Sequence, residues 1–571
     1  MNTVVVGLDN GSKDYLGRRE PIKKQGDDPL AKAIAAKWSR LKTIRQRNEA
    51  LRWEACAYVQ HRMSEFSDSH NPIKPVKLYN TSGILSLDTF INGYHGNLIS
   101  PSMRWFKLTL IGENYEDSDT IHGANDYLEI CENQMYAELN KTNFYPMDKL
   151  ATKDAVVQGT SAEWVYDDVE SGTCVFETIA PWDFWIDKNS RGQIDTIFIR
   201  FTMTAADALD RFKDKTPPNI LRDVETDAGH TEHEFVLAIY PRKKLRSEKG
   251  KVLISTEKPF AAVTYYPTED LVVEESGYDE FPVAVHVFEP DGTSVYGKGM
   301  VMKYVTELKR LNSMSKDELE AIQKVAKPPM SIPESLKGRF SGDPGARNYV
   351  GNAEAKPEII QTVQDVGWLS QEIKELEEKI GRLFFNDLFN YLMRQDKVLT
   401  ATQTQAIKNE ELALLASILG TTQYMKINPI VKRVFKIMVK GNRVPKPPKE
   451  LLRVKNALMR IELDGPLAKN VKMFAMQDGL QASLEWMQAL HAMQMTNTLD
   501  NINTDAFVRK AFIAAGLPQS VLRELGEVEQ MRKQKEAMIQ QQQQMQQMQQ
   551  ASEIQRNMNG QANLNNAGGM N

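Results

Sequence analysis

Residues 292–299 read GTSVYGKG and connect two very different segments of the chain. The apolar run FPVAVHVF precedes them at 281–288, and MVMKYVTELKRL, which has the spacing of an amphipathic helix, follows at 300–311. A strand, a glycine-containing loop and a helix in this order are the setting in which a phosphate-binding loop works. The stretch therefore allows two interpretations, a nucleotide site and a purely structural turn.

The loop matches the pattern G-x-x-x-x-G-K, but Gly299 stands where a Ser or Thr hydroxyl would bind Mg²⁺. The best candidate for a second metal-binding carboxylate, DLVVEE at 270–275, is short and lies upstream. We therefore favour a structural joint, in which Gly297 and Gly299 allow unusual backbone angles or close packing. Lys298 is then expected in the first turn of the helix. A P-loop-like ATPase is the alternative.

The segment at 299–326 predicts one long helix, which spans roughly 40 Å before two consecutive prolines end it. One stripe along this helix is apolar at both ends and small or polar in the middle: Val301, Val305, Leu308, Asn312, Ser315, Leu319 and Ile322. Lys298, Lys309 and Lys316 fall along one flank. This flank is either a solvated surface or, if the helix packs against copies of itself, a surface that faces a polyanion.

The 571 residues are 41% apolar and 26% charged, which is typical of a soluble folded chain with several structural regions. No stretch approaches the roughly 18 uninterrupted apolar residues of a membrane span, and the first residues lack the features of a secretory signal. Cys56, Cys131 and Cys174 are far apart, which favours a reducing compartment over a disulfide scaffold. The net charge of −4 lacks the basic excess of tight nucleic-acid binders, so any DNA contact must be local or weak.

The order of predicted elements indicates an α+β fold, with β segments before residue 290 and helices after it. Alternation and turn residues predict strands at 104–112 and 160–204, and then at 232–289 in the runs FVLAIYP, KVLIST, FAAVTYYP and VAVHVF. Amphipathic spacing predicts helices at 30–66, 121–140, 205–212, 299–326, 366–394, 401–420, 467–499 and 504–556.

Two further motifs match functional sites only in part. VVVGLDNGS at 4–12 has the character of a kinase phosphate hairpin, but a polar segment follows it where a second apolar strand is needed. HTEHE places His230 and His233 three residues apart, whereas the helical zinc-protease pattern has its histidines four apart. No Ser/His/Asp or Cys/His set can be proposed by motif. We therefore expect no catalytic, cofactor-binding or metal-binding residues, and no enzymatic activity.

Two helical segments have the spacing of a helix–helix contact. An apolar seam, typical of a coiled coil or of a core-facing helix, consists of Val366, Leu369, Ile373, Leu376, Ile380 and Leu383. Met531, Met538 and Met545 recur at heptad spacing within the glutamine-rich segment 528–556. That segment is either a disordered tail or a helix that neighbouring copies stabilise in an assembly.

Several segments, in this order along the chain, resemble the portal (head-to-tail connector) proteins of short-tailed bacteriophages. They are LYNTSGILSLDTFINGYHGNLISPSMRWFKL at 78–108, APWDFWIDKNSRGQIDTIFIRF at 180–201, VYGKGMVMKYVTELKRLNSM at 295–314 with the later AKPP, and LTATQTQAIKNEE at 399–411. The likeness spans about residues 30–525. It departs from the family in the arm before residue 30 and at Gln403, where an acidic residue is expected.

The resemblance implies a ring of about twelve subunits at one capsid vertex. Each portal-type subunit has a wing, long stem helices, a small β clip and a helical crown, here with a C-terminal helical barrel extension. Carried onto this chain, the regions are the arm 1–28, wing 29–204, first stem helix region 205–231, β clip 232–292, second stem helix 293–328, wing and channel loop 329–466, crown 467–526, glutamine-rich barrel helix 527–556 and disordered tail 557–571.

The resemblance also implies a function. The ring is the channel for genome packaging and ejection and the site of head–tail attachment in the virion, and it is assembled in the host cytoplasm. Its partners are further copies of itself, double-stranded DNA, the major capsid protein, a tail adaptor protein and the terminase, which is the separate ATPase. Neither a membrane nor a cofactor is involved.

Within this interpretation, Lys298, Lys309 and Lys316 on the stem helix are expected to face DNA, as are Arg394 and Lys397 in the channel loop. Because each phosphate contact adds to affinity, a near-neutral charge with few lysines suits a channel in which duplex DNA must slide. The alternatives are a packaging ATPase motor built on GTSVYGKG and a coiled-coil scaffold or adaptor protein of the virion.

Overall fold

The computed structural model divides the chain into two units, Met1–Val471 and Lys472–Asn571. The residues that the structure describes are 28–63, 71–111, 118–168, 170–226, 228–242, 255–343, 345–350, 356–360, 366–393, 413–448, 458–469 and 471, with short helical stretches between 528 and 548. Most of them belong to the first unit. Helices and antiparallel sheets are both present in it, which confirms the α+β class.

The helices of the first unit, in chain order, are α1 Pro29–Gln46, α2 Glu49–Tyr58, α3 Ser82–Leu98, α4 Ser118–Lys141, α5 Phe144–Gln158, α6 Ala205–Phe212, α7 Pro218–Glu225, α8 Met300–Ala326, α9 Gly367–Leu383, α10 Asn386–Met393 and α11 Asn428–Lys440. Residues 413–422 are also helical and continue through a π-helical turn, Gln423–Ile427, into α11. We call Gln423–Ile427 the π-turn.

The strands are β1 Phe106–Ile111, β2 Thr160–Asp168, β3 Thr173–Ile179, β4 Phe184–Lys188, β5 Ile194–Thr204, β6 Glu232–Pro241, β7 Phe260–Tyr266, β8 Leu271–Tyr278, β9 Val283–Val287, β10 Met330–Ser331, β11 Glu358–Ile359 and β12 Leu458–Leu463. They form two larger antiparallel sheets, ordered β4-β5-β6-β7-β8 and β3-β2-β9, and the pairs β1-β12 and β10-β11.

The five-stranded sheet is covered on both faces, because successive side chains of a strand point to opposite sides. On β5, Phe198 packs in the cluster that contains Trp38 of α1. Its neighbours Ile197 and Ile199 pack in the cluster that contains Phe212 of α6. Alternating apolar residues therefore make β5 a central strand with a helix on each face.

The single helix predicted at 30–66 is wrong, since the chain forms α1 and α2 with a break at Arg47 and Asn48. The break allows α1 and α2 to pack against different parts of the unit. Trp38 of α1 packs edge-on against Trp185 in the five-stranded sheet, whereas Cys56 of α2 is buried in the largest core cluster. One straight helix cannot reach both surfaces.

The three-stranded sheet joins the loop at 292–299 to the core of the unit. β2 pairs with both β3 and β9, and the pair Thr160–Val287 lies at the end next to the loop. α5 leads into β2 through Gly159, which has φ +86° and a backbone N–H that donates to Ala155 O at 2.8 Å. The turn at Gly159 thus lies beside the start of α8.

The helix predicted at 299–326 is confirmed as α8, but the helix predicted at 366–394 is interrupted. Phe385 has φ +55°, a left-handed conformation that ends α9 and redirects the chain into α10. The apolar seam of α9 packs inside the subunit, because Ile373, Leu376 and Ile380 are buried in the largest core cluster. The core-facing interpretation of this seam is therefore confirmed.

The other predictions are confirmed to different extents. The helix predicted at 121–140 is α4 and AADALDRF is α6. The strand predicted for KVLIST at 251–256 is wrong at its end, because residues 255 and 256 lie in a 3₁₀ turn, Ser255–Glu257. Residues 251–254 lie outside the described part of the chain. The segments 1–27, 401–412, 472–499 and 549–571 also lie outside it.

The predicted portal regions stay a prediction, but the sheets constrain their boundaries. The five-stranded sheet combines β4 and β5 from the predicted wing with β6, β7 and β8 from the predicted clip. The predicted first stem helix region at 205–231 contains two short helices, α6 and α7, which pack against this sheet. Wing and clip strands are therefore hydrogen-bonded to each other within one subunit.

In the second unit, the described residues between 528 and 548 are helical. Met538 and Met545 are 67% and 59% exposed. For this stretch the helical interpretation of the glutamine-rich segment is supported over the disordered one.

We predict that Gly159→Ala lowers the free energy of unfolding by more than about 3 kcal/mol, because the new Cβ strains a left-handed residue and meets a backbone atom. That Cβ would lie 2.2 Å from Gly297 O. Gly172→Ala is the matched control, since Gly172 has φ +65° but no atom within 4 Å of the added Cβ. Gly172→Ala should lower the free energy of unfolding only by the backbone strain, about 1–2 kcal/mol. Urea unfolding of both variants measures the difference, and equal losses would contradict the role of the close contact.

Candidate DNA-channel surface and buried charge cluster

The glycines of the loop at 292–299 are required by close packing of backbone on backbone. A Cβ added to Gly297 would lie 2.6 Å from Gly159 O, and one added to Gly299 would lie 2.4 Å from Val157 O. Both distances are well inside ordinary van der Waals contact. The prediction that close packing explains Gly297 and Gly299 is confirmed.

Backbone N–H groups and the lysine of this loop already have partners inside the subunit. Gly297 N donates to Thr160 Oγ1 at 3.0 Å, and Lys298 N donates to Glu289 O at 2.9 Å. Lys298 Nζ lies 2.8 Å from Asp291 Oδ1. Since a phosphate loop presents such groups to its nucleotide, this arrangement favours the structural joint.

The prediction that placed Lys298 in the first helical turn is wrong. Lys298 forms an isolated β-bridge with Glu289, and α8 begins at Met300 with Gly299 as its N-cap. The contact between Gly299 and the end of α5 fixes the start of the helix, so Lys298 remains on the strand side of the joint.

Lys309 and Lys316 lie on α8 about two turns apart, and each contacts a carboxylate. Lys309 pairs with Glu54 of α2. Lys316 Nζ lies 3.6 Å from Glu320 Oε1, one turn further along α8. The side chains of Lys298, Lys309 and Lys316 are 50%, 41% and 49% exposed. We call these three residues the lysine flank: its members are accessible, and each is balanced by an acidic group.

The predicted channel-loop residues Arg394 and Lys397 lie outside the described part of the chain. Their placement next to DNA therefore stays a prediction.

The last part of α8 leaves the core and exposes apolar side chains. Ser315 is the last buried residue of the helix. Beyond it Leu319, Ile322 and Val325 are 44%, 49% and 57% exposed. We call these three residues the apolar face of α8. Large apolar side chains exposed together mark an interaction surface more often than isolated ones do.

A cluster of buried charges occupies the core near the π-turn. Asp148 of α5 and Lys426 of the π-turn are 0% and 1% exposed, and Asp148 Oδ1 lies 2.8 Å from Lys426 Nζ. His95 Nε2 of α3 lies 3.0 Å from Asp148 Oδ2. Lys426 also donates to Thr152 Oγ1 at 2.7 Å. These contacts join α3, α5 and the π-turn.

Our sequence reasoning missed this cluster, although the apolar spacing around it contains a signal. The buried stripe that includes Leu415, Leu419 and Ile430 has polar residues, Thr422 and Lys426, at two of its positions. A lysine in a buried stripe requires an internal partner, because an unpaired buried charge is strongly destabilising. The stripe could have predicted a buried ion pair, but it could not have identified Asp148.

Burial and neighbouring charges set the ionisation of this cluster. Burial alone would raise the pKa of Asp148, but Lys426 and His95 lower that pKa to about 2. Burial, together with the Asp148 carboxylate, raises the pKa of Glu163 well above its ordinary value. A hydrogen bond between the Glu163 and Asp148 side chains also raises the pKa of Glu163. Burial and the charge of Lys426 lower the pKa of His286 to about 3, so its ring is neutral near pH 7.

The HTEHE segment has an internal role in the structure. His233 Nε2 lies 3.0 Å from Asp223 Oδ2 of α7, and His233 Nδ1 lies 3.1 Å from the hydroxyl of Tyr266. Within the described residues, no group of three or more His, Cys, Asp or Glu side chains is arranged to hold a metal ion. Across the same part of the chain, no helix combines the length and apolar character that crossing a membrane requires.

Comparison with known proteins gives a match over most of the chain. Residues 31–522 match the family described as bacteriophage head to tail connecting protein. This range contains the joint, the lysine flank, the apolar face of α8 and the buried charge cluster.

Two curated proteins are similar over most of their length. The portal protein of Salmonella phage epsilon15 is 25% identical over 480 residues, which cover 81% of this chain and 83% of that protein. The probable portal protein of Bordetella phage BPP-1 is 22% identical over 431 residues, covering 74% of this chain and 76% of that protein.

We predict that Glu163→Gln stabilises the protein increasingly as the pH rises. A carboxyl group whose pKa is raised in the folded state contributes stability below its unfolded pKa, near 4.5, and this contribution is lost as the pH rises through the folded pKa. Glutamine cannot ionise, so the variant avoids a loss of about 1.4 kcal/mol for each pH unit up to the folded pKa.

The measurement is the difference in Tm between variant and wild type at pH 4.5, 6 and 8. Glu170→Gln makes the same chemical change at an exposed hairpin turn and should show no comparable trend. A Tm difference for Glu163→Gln that stays constant across this range would contradict the raised pKa.

Proposed function

The chain belongs to the family of bacteriophage head to tail connecting proteins, and from this we propose that it is a portal subunit that forms a closed ring at one vertex of the phage capsid. The match of residues 31–522 to the family carries the proposal. The ring, of about twelve copies, is the channel for packaging and ejecting double-stranded DNA and the site where the tail attaches. The major capsid protein, the terminase and a tail adaptor protein are its proposed partners in the virion.

The apolar face of α8 supports assembly from identical subunits. In a cyclic ring each subunit uses two different surfaces, one for each neighbour. Leu319, Ile322 and Val325 lie beyond the last buried residue of α8 and are about half exposed in the isolated subunit. Packing them against an adjacent copy would remove apolar surface from water at about 25 cal/mol per Å². We assign this end of the helix to the contact between stem helices.

The lysine flank supports a channel that attracts DNA only weakly. Lys316 and Ile322 are about 120° apart around the helix axis, so α8 can contact a neighbour with one side and the lumen with another. Lys298, Lys309 and Lys316 are each paired with a carboxylate of the same subunit. A duplex in the lumen therefore meets charges that are already balanced, and it can slide because no phosphate is held strongly.

The remaining assignments follow the portal regions. The second stem helix is α8, and the joint at 292–299 connects it to the β clip. The helices beyond 467 form the crown, and the glutamine-rich helix extends the barrel. Polar, uncharged glutamine side chains suit a wet lumen that holds DNA weakly. The protein itself breaks no bonds, and ATP is hydrolysed by the terminase.

The two alternative functions have less support. A packaging ATPase built on GTSVYGKG would have to free Lys298 from Asp291 and the loop N–H groups from Thr160 and Glu289. A coiled-coil scaffold would consist mainly of helices, whereas two β-sheets take up much of residues 160–287 in this chain.

We predict that Ile322→Asp abolishes ring formation while the subunit stays folded. The change places a carboxylate in the proposed contact between neighbouring stem helices, where it would lose its hydration. Lys324→Asp puts the same side chain on the opposite side of the same helical turn and should leave the ring intact. Electron micrographs and sedimentation measure the assembly, and circular dichroism confirms folding. Rings of Ile322→Asp equal to wild type would exclude this contact.

We predict that Glu320→Gln strengthens DNA binding by the assembled ring, because it frees Lys316 from its carboxylate. Each new phosphate contact should steepen the slope of log K against log salt by about 0.9. Asp317→Asn removes the same charge from the same helix without freeing a lysine of the flank, so it controls for net charge. Duplex DNA binding at several salt concentrations measures the effect. An equal response of both variants would show that Lys316 does not face DNA.

A further inference from the structure

The outward side of α1 carries a row of basic side chains. The inward side of this helix is apolar and packs on the five-stranded sheet around Trp38 and Leu41. Lys32, Arg40 and the C-cap residue Arg47 lie on the opposite side, within about 80° of arc around the helix axis. All three are exposed. We call these three residues the basic stripe.

The charges of the basic stripe are not balanced inside the subunit, unlike those of the lysine flank. Residues 29–47 contain six basic and no acidic residues. The carboxylates just outside this segment already have partners, since Asp28 accepts from Leu30 N at 3.0 Å and Glu49 Oε1 lies 3.1 Å from Nε of the buried Arg45. No residue of the stripe forms an ion pair with another described residue. A chain of net charge −4 therefore has a local surface of positive potential here.

The composition of this surface favours a nucleic-acid backbone over a protein as its partner. In α1, all of whose residues the structure describes, no large apolar side chain is exposed. Small exposed residues, among them Ala36, Ser39 and Thr43, lie between the basic ones. Contacts between proteins depend on aromatic or aliphatic anchors in a desolvated centre. Contacts with DNA are more polar and much more positively charged.

The spacing of the stripe suits a duplex of any sequence. Lys32 and Arg40 are about 12 Å apart along the helix axis, and Arg40 and Arg47 about 10 Å. A duplex of the same total length, about 22 Å, carries about 13 phosphates. Each cation can therefore meet a phosphate whatever the base sequence, and the small residues between them let the helix approach the backbone closely.

We propose that the basic stripe of α1 binds the phosphate backbone of double-stranded DNA, on a surface that does not belong to the proposed channel. Lys32, Arg40 and Arg47 each contact one phosphate, and binding releases the counterions of those phosphates. The choice of duplex DNA as the polyanion rests on the proposed function. The stripe holds DNA because its cations are unpaired, whereas the paired lysines of the channel let DNA slide.

The test measures binding of relaxed, covalently closed circular duplex DNA to assembled full-length rings at several salt concentrations. A closed circle cannot be threaded through a closed ring, so contacts in the channel do not contribute. Replacing Lys32, Arg40 and Arg47 together by Gln should make the slope of log K against log salt less steep by at least about 2.7, which is about 0.9 for each lost phosphate contact. Arg40→Gln alone should change the slope by about 0.9, equally for circles of different sequence.

The matched control replaces Lys213, Lys215 and Arg222 together by Gln. These residues are also exposed, but they lie beside α6 and α7 on the other face of the same sheet. Their segment, 205–225, has five acidic and four basic residues. The control should therefore bind circular DNA as the wild type does. Micrographs of the same samples report the ring, so a loss of DNA binding by intact rings concerns the stripe and not the proposed portal function.

Three results would overturn the proposal. The first is an unchanged salt slope in the variant that lacks the stripe. The second is an equal loss of binding in the control variant. The third is poly-glutamate that binds the wild type as tightly as DNA does and is lost with the stripe, which would assign this surface to an acidic protein.

Discussion

The contact between two backbone turns determines where the long helix of this protein starts. Gly159, at the end of α5, and Gly297, in the joint before α8, approach so closely that neither has room for a Cβ. Thr160 and Glu289 accept hydrogen bonds from the N–H groups of the joint. The contact thereby fixes the origin of α8 relative to the three-stranded sheet. Because the lysine flank and the apolar face lie on α8 or in the joint before it, this contact also determines their positions.

Charged groups have two different roles in the first unit, and their exposure decides which. Exposed ion pairs such as Lys316–Glu320 are worth at most about 1 kcal/mol. The buried pair Asp148–Lys426 behaves differently, because removing one partner of a buried pair costs about 3–5 kcal/mol. The buried cluster therefore holds α3, α5 and the π-turn in place, while the exposed pairs contribute little to stability.

Apolar spacing located most elements correctly, including α4, α8 and the strands at 160–204, because burial along a regular element repeats with its period. It was wrong where the chain changes direction for tertiary reasons. The pattern at 30–66 runs on through Arg47 and Asn48, although α1 and α2 pack against different parts of the core. The pattern at 366–394 gives no sign of the left-handed residue Phe385. The positions of Lys309 and Lys316 on α8 could be predicted from helical spacing, but the position of Lys298 before the helix and the partner carboxylates of all three lysines could not.

The sequence by itself determined the type and order of the elements, the near-neutral charge, and the similarity that identifies the family. These properties depend on composition and on spacing between residues that are close along the chain. Only the tertiary structure decided that Lys426 is buried against Asp148, that β1 pairs with β12, and that the joint is closed by Gly159. Lys426 and the residue it binds are 278 positions apart, and local periodicity carries no information about which distant segment will supply a partner.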